Sequence, residues 1–473
     1  MKEYKIYIAG EFRTTSKILE IKNSYTSEVI AKTYLAENSD LEEAIVKAHN
    51  SMPVMKELPV YERYNILMSL SRELSEKKSY FSEILSMEAC KPIKYASGEI
   101  DRAIQTLVIA AEEAKRLPGE YLSVDWTKAG YGKEAWVKYF PVGIVAGIAP
   151  FNFPINLAMH KVAPAIAAGC PIILKPSSST PLSMLEFAKL VDNTALPKGA
   201  FSVLPMDRIT GNNLVTDERI KLLTFTGSPE VGWKMKADAG KKKVVLELGG
   251  NAGVIISKSA DIDEAVNKCV VGGFAFSGQV CIHTQRIYVN KDIFAEFSEK
   301  FISKVEKLKI GQPLDPETDI SAMIDENNAI RVEQWVNEAV ENGAEILCGG
   351  IRKGSVYSPT VLTQTNPNMK VCSLEVFGPV VILEPFDNFE NAVDVINNSN
   401  YGLQAGVFTN NLSEMNYAFN YIDVGGVIIN DVPTFRVDHA PYGGIKDSGL
   451  GREGVKYAIH DMLEPKVLIK PVL

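Results

Sequence analysis

An α/β fold built on a doubly wound parallel sheet is what this chain of 473 residues predicts. Three observations carry that expectation. Short apolar runs alternate with helical patterns from Gly143 to Ile256. The connections between them are short, which calls for parallel strands joined by right-handed crossovers. The same alternation starts again after Asn251, so the chain holds a second α/β unit rather than one overgrown core.

Taken in order, Tyr4–Phe12 reads as strand, turn and strand, an edge hairpin. Ser39-Asp40-Leu41-Glu42 has the form of a capping box, with Ser39 as the cap, and Leu41, Ala44, Ile45 and Ala48 follow at helical spacing. Helical periodicity continues from about Val60 to Ala114. Leu122–Asp125 and Glu134–Phe140 read as two strands around Gly130 and Gly132, either a local β-arm or an oligomer arm. Strands are then expected at Gly143–Ile148, Ile172–Leu174, Phe201–Leu204, Leu222–Phe225 and Val244–Leu248, with helices near 155–168, 182–195, 209–217 and 229–239. In the second half the strand candidates are Ala252–Ile256, Arg286–Val289, Val380–Phe386 and Gly426–Asn430. Helices are expected near 261–272, 292–307, 326–343 and 389–397. Val467–Val472 is a final strand that pairs with the earlier hairpin or with another subunit.

Composition narrows the function. Hydrophobic residues make up 46% and charged residues 23%, as in ordinary soluble globular proteins. A net charge of −8 with no basic block argues against nucleic acid as partner. The uncharged stretch Tyr139–His160 is broken by Pro141, Pro150 and Pro154, so no membrane span is expected. Six cysteines and five histidines are scattered without a C-x-x-C pair, which indicates neither a metal site nor a disulfide framework. A reducing, cytoplasmic setting and a small-molecule substrate are the expectation.

Three strand ends are chemically unusual: Ala149–Pro154, Lys175–Pro181 and Phe225–Pro229. Each sets hydroxyls, free amides or a cation at a helix start, where phosphate binds well. G-x-G-x-x-G is missing. Downstream, Glu247 lies inside the apolar run Val244–Leu248 before Gly249-Gly250, and Cys281 follows the turn Ser277-Gly278-Gln279. A thiol attacks only as thiolate, which needs a positive field or a base. On local sequence alone, Cys281 is either an inert buried thiol or a nucleophile, and Glu247 either a salt-bridge partner or a base.

Seen together, Pro150–Pro154, Lys175-Pro176-Ser177, Phe225–Ser228, Leu246–Gly250, Gly278–Cys281, Glu375–Pro379 and Pro441–Gly449 resemble the aldehyde dehydrogenase superfamily, in order and over nearly the whole chain. The resemblance is to NAD(P)-dependent, non-acylating members of the lactaldehyde, semialdehyde and non-phosphorylating glyceraldehyde-3-phosphate types. It implies a Rossmann-like doubly wound cofactor domain (1–118 and 142–249), a second α/β catalytic domain (250–447) and a β-hairpin oligomerisation arm (119–141 with 448–473). Homodimers or homotetramers are implied with it. Cys281 becomes the nucleophile, Glu247 the general base, and Asn152 the oxyanion donor beside the Cys281 N–H. NADP or NAD would lie against Ile148, Ala149, Pro150, Phe151, Lys175, Ser177, Ser178, Gly227, Ser228, Leu248, Gly249, Glu375 and Phe377, with Lys175 and Glu375 at the two riboses. His283 is read as structural or substrate-lining.

Two departures refine this. Where many NAD-preferring members carry an acid to meet the ribose 2′-hydroxyl, this chain has Ser178, which leans the reading to NADP. Leu204–Gly211 holds a single glycine where relatives place two or three. Val280, before the nucleophile, counts against a phosphorylated substrate. Arg102, Arg436 and His439 are read as structural charges that an anionic substrate tail would be able to meet. Two other outcomes share the fold. A CoA-acylating enzyme typically lacks the carboxylate that Glu247 supplies, and a non-catalytic homologue has no need of Cys281, Asn152 and Glu247 together.

Overall fold

The computed structural model describes residues 2–472. Its larger sheet has eight strands, in the order Gly449–Leu450, Lys243–Glu247, Ile220–Thr226, Ile144–Ile148, Ile172–Lys175, Phe201–Val203, Ile6–Ile8 and Glu11–Arg13. From Lys243–Glu247 to Phe201–Val203 the strands are parallel, and antiparallel pieces close both edges. The expected edge hairpin is therefore Ile6–Ile8 with Glu11–Arg13. Strand order reverses at Ile144–Ile148, whose successors lie on opposite sides of it. Such a switch opens a crevice at the carboxyl ends of the strands.

The helix that follows the switch, Asn156–Ala168, is buried at every position. A helix apolar nearly all round has no solvent face to offer, so it is wrapped. It packs between the sheet and helices Val60–Glu76, Ile93–Ala114 and Val455–Asp461. Each buried Leu, Ile or Met there contributes roughly 1.5–3 kcal/mol relative to exposure. That makes the segment just before it, which carries Asn152, a rigid platform. The Lys175–Pro181 loop is anchored too. Glu88, buried, accepts from the N–H groups of Leu182 and Ser183 at 2.6 and 3.0 Å, at the start of helix Leu182–Asp192. Burial raises that carboxyl to about 7.

The second sheet has seven strands, in the order Glu345–Cys348, Thr360–Thr363, Val380–Phe386, Thr284–Asn290, Ala252–Ile256, Gln404–Phe408 and Gly426–Ile429. All pairs but the first are parallel. It has its own core, including Val254, Phe274, Phe297 and Leu383. The strands Gly119–Ser123, Lys133–Pro141 and Leu463–Pro471 form a separate antiparallel sheet, so the terminal strand joins the hairpin of its own chain. Among the described residues no helix is long and apolar enough to cross a membrane.

Some details differ from the sequence reading. The first helix starts at Asn38, capped by Glu37 with Asp40 reaching back to the Glu37 N–H at 2.7 Å, two residues before the expected cap. Strand Gln404–Phe408 and helix Leu412–Tyr421 were not expected. Neither were the strands Lys17–Lys22 and Val29–Leu35.

Candidate active site

A cleft of about 480 Å³ runs between the switch point and the second sheet. Its walls are built by strand ends. Ile148, Ala149, Pro150, Phe151 and Asn152 follow Ile144–Ile148, while Lys175, Ser177 and Ser178 follow the next strand. Gly227 and Ser228 follow Ile220–Thr226, and Leu248 and Gly249 follow Lys243–Glu247. Glu375, Phe377 and Cys281 come across from the other unit. Every residue expected to meet the dinucleotide thus lines one cleft. Leu157, Val231, Asn328 and Arg331 line it as well, and the sequence had not singled them out.

The cleft suits a dinucleotide on its own terms. Lys175, half-buried, makes no side-chain hydrogen bond among the described residues, and burial lowers its pKa. Gly211 lets it through: a Cβ there would sit 3.0 Å from Lys175 Cε. The loop that lost its extra glycines is closed instead by Asp207, which caps helix Arg208–Thr216 through the Thr210 N–H at 2.8 Å. Ser228 precedes helix Pro229–Asp238 without capping it by its side chain, which leaves first-turn amides for an anion. At the far end, Glu375 Oε1 accepts from Gly250 N–H at 3.0 Å, and a Cβ on Gly249 would fall 2.3 Å from Oε2. Burial raises Glu375 to about 7.

At the inner end stands Cys281, partly exposed. The segment before it is strained: Phe276 and Ser277 have φ of +50° and +53°, a region that costs a non-glycine residue about 1–3 kcal/mol. Gly278 follows at φ +67°, where a Cβ would strike the Gly378 carbonyl at 2.1 Å. Gly250 packs on the Cys281 carbonyl, a Cβ there meeting its oxygen at 2.3 Å. The Cys281 N–H makes no hydrogen bond among the described residues. Asn152, buried, donates one amide hydrogen to Gln279 O at 3.0 Å and keeps the other. Two unspent donors therefore belong to residues that line the cleft together.

Glu247 does not line the cleft; it sits behind it, 2% exposed, with Oε1 unpartnered. Burial first, and then the Glu453 carboxylate, raise its pKa well above the ordinary range. Burial and Glu247 together push the Cys281 thiol up to about 12, while the Tyr442 hydroxyl and Arg436 pull it down. Behind Glu247 lies a buried charge network. Lys161 donates to Thr226 at 2.8 Å and meets Glu453 at 3.2 Å, and Arg436 donates to Glu453 at 2.9 Å. Arg102 and His160 hold Asp438 at 2.7 and 2.8 Å. Arg102 and Arg436 are thus structural charges first, and His439 is exposed. His283 is buried against the Gly273 carbonyl at 2.8 Å, away from the cleft, and burial lowers it to about 4. Tyr442 was the miss: it lies in a quoted motif, yet nothing in the sequence put it against the thiol.

Comparison with known proteins agrees with this geometry. The profile of the Aldehyde dehydrogenase family matches residues 12–468. A 3-sulfolactaldehyde dehydrogenase of Priestia aryabhattai is 44% identical over 470 residues, covering 99% of this chain and 98% of that one. Aldehyde dehydrogenase 21 from Physcomitrella patens, solved with the reaction product succinate, is 46% identical with a TM-score of 0.98, over 99% of this chain and 98% of that one. A glyceraldehyde-3-phosphate dehydrogenase of Methanocaldococcus jannaschii, complexed with NADP, is 38% identical with a TM-score of 0.93, over 97% and 100% of the two chains. The chain belongs to the aldehyde dehydrogenase family, enzymes that oxidise an aldehyde with NAD or NADP.

Proposed function

We propose that this chain oxidises a small aldehyde to its carboxylic acid through a thiohemiacetal and then a thioester on Cys281. The observation that carries the reading is that Cys281, its N–H unspent, and Asn152, with an amide hydrogen to spare, line the same cleft that fits a dinucleotide. Cys281, partly exposed in the cleft, loses its proton to solvent and adds as the thiolate to the carbonyl carbon. Asn152 and the Cys281 amide stabilise the resulting alkoxide, each donor contributing on the order of 3 kcal/mol in comparable sites. Bound NADP or NAD supplies the hydride acceptor. Glu247, in its ionised form, takes a proton from the water that cleaves the thioester and frees Cys281. Lys175 and Glu375 hold the two riboses, and the lining residues from Ile148 to Phe377 hold the rest of the dinucleotide. Ser178, with no acid in its place, favours NADP.

Arg102, Lys161 and Arg436 are already paired with Asp438 and Glu453 behind Glu247, so the substrate class is read from the relatives. A small aldehyde with an anionic far end is in keeping with the sulfolactaldehyde enzyme and the succinate complex among them. Val280 argues against a phosphorylated one.

On this reading residues 1–118 and 142–249 hold the cofactor and 250–447 carry the nucleophile. The arm 119–141 with 448–473 joins subunits into a homodimer or homotetramer through exposed Tyr121, Trp136, Val467 and Leu468. A cytoplasmic setting keeps its six free cysteines reduced. Assaying lactaldehyde, succinic semialdehyde, sulfolactaldehyde and glyceraldehyde 3-phosphate with both dinucleotides tests the reading. The anionic, unphosphorylated aldehydes should give the highest kcat/KM, and acid rather than acyl-CoA should be released. Equal rates with uncharged aldehydes would overturn the anionic-substrate reading.

A further inference from the structure

Lys91 is completely buried under the floor of the cleft. It follows helix Lys78–Ala89, and its ammonium is ion-paired with Glu99, itself fully buried. The same Nζ donates to the Asn152 carbonyl at 2.5 Å. It also stands over two aromatic rings, 3.8 Å from the Phe153 centroid and 4.3 Å from that of Phe276. The other Glu99 oxygen accepts from the N–H groups of Ile155 and Asn156, each at 3.1 Å, at the start of the helix that anchors the Asn152 segment. A desolvated ammonium persists only when its partners are fixed around it, and its attraction to ring faces is strongest there.

The partners fall into two groups. Asn152 and Phe153 belong to the loop that carries one oxyanion donor. Phe276 belongs to the strained turn, φ +50°, that delivers Cys281 and the other donor. The Phe153 and Phe276 rings also meet edge to face at 6.3 Å, so the ammonium and the two rings form one cluster. Glu99 is the ion-pair partner of the ammonium and serves the Asn152 side, while the charges of Arg102 and Glu88 act on the ammonium from farther off. The ammonium touches both loops, reinforcing the direct Asn152–Gln279 hydrogen bond and the ring contact between them.

We propose that Lys91 is a positioning residue for the oxidation: its buried ammonium clamps the Asn152 loop to the turn before Cys281 and so sets the spacing between sulfur and oxyanion donors. The proposal rests on the reading of Cys281 and Asn152 given above. It separates two quantities that a merely structural lysine would move together. The chemistry at the thiol depends on the clamp, whereas three of the strand ends that wall the dinucleotide cleft, at Lys175, Gly227 and Leu248, lie outside it.

The test uses the full-length Lys91→Met/Glu99→Gln variant, which removes both buried charges, and Phe276→Leu, which removes one ring face without unpairing a charge. The readouts are the pre-steady-state burst of reduced dinucleotide with protio and 1-deuterio aldehyde, the KM for the dinucleotide, and the alkylation rate of Cys281 by iodoacetamide. Loss of sub-ångström alignment is expected to slow the burst at least about ten-fold in the double variant and about three-fold in Phe276→Leu, with a larger isotope effect. Dinucleotide KM and alkylation should stay within about two-fold, because neither uses the oxyanion site. Burst rates within two-fold of the unmodified chain, or a slowing matched by equal weakening of dinucleotide binding, would overturn the proposal. If the double variant does not fold, Phe276→Leu decides by the same criteria. Cys281→Ala keeps the two readings apart. If it still turns over, the active-site reading fails whatever Lys91 does; if it is inactive while the Lys91 and Phe276 variants behave normally, only the clamp falls.

Discussion

The Tyr442 hydroxyl lies 3.3 Å from the Cys281 sulfur, and the Tyr442 ring carries the Arg436 guanidinium 3.7 Å from its centroid. This pair is the local counterweight to the burial and the Glu247 charge that leave the thiol at about 12. Removing the hydroxyl removes a hydrogen bond that lowers the thiol pKa, so less thiolate forms at a given pH. Tyr442→Phe should therefore slow alkylation of Cys281 at pH 8 by about five-fold, the worth of one hydrogen bond of about 1 kcal/mol. Thermal stability should change little, since the ring stays. Stopped-flow alkylation checks the first and calorimetry the second.

Glu375 gives a pH prediction. Burial raises it to about 7, so at pH 6 the carboxyl is mostly protonated and at pH 8 mostly ionised. The ionised form is the one that accepts from two ribose hydroxyls. Dinucleotide affinity should therefore strengthen as pH rises through about 7. Glu375→Gln should flatten that dependence and weaken binding by roughly ten-fold, in line with the 1.5–3 kcal/mol of a charged hydrogen bond. Isothermal titration at pH 6, 7 and 8 reads it directly.

Ser178 sets the choice of dinucleotide. A carboxylate at that position would repel a 2′-phosphate and accept from a 2′-hydroxyl instead. Ser178→Glu should lower kcat/KM for NADP by at least about ten-fold and leave NAD unchanged or improved. Steady-state kinetics with both dinucleotides is the check, and an unaltered ratio would remove Ser178 from the account.

Gly250 is required by a close approach. Its missing Cβ leaves room for the Cys281 carbonyl, which would otherwise lie 2.3 Å away. Gly250→Ala must displace the nucleophile, its Glu375 hydrogen bond, or both. A loss of about a hundred-fold in kcat/KM is expected, with about 1–3 kcal/mol of destabilisation from overpacking. A folded variant with normal activity would show that the loop yields freely.

The residues at the strand ends were readable because their chemistry is out of place: a lysine, serines and an asparagine among prolines after apolar strands. Glu375 and Phe377 were readable only through the motif around them. Strand Gln404–Phe408 went unread because Gln404-Ala405-Gly406-Val407 lacks a β-branched run. It is small for a packing reason, since a Cβ on Gly406 would meet the Asp431 carbonyl at 2.7 Å. The first helix cap was misplaced because Glu37 is not a preferred cap, while Ser39 is. Tyr442 and Lys91 act on partners distant in sequence, Cys281 and Asn152. No local pattern marks a side chain whose whole role is tertiary.

Glu247→Gln tests the central claim most directly. The substitution keeps the shape of the side chain behind the cleft and removes its capacity to take a proton from water. Mixed with aldehyde and NADP, the variant should release about one reduced dinucleotide per subunit and then turn over some 10²–10⁴-fold more slowly. Mass spectrometry of the quenched protein should then find the acyl group on the peptide that contains Cys281. An unmodified Cys281 peptide together with undiminished steady turnover would contradict the account.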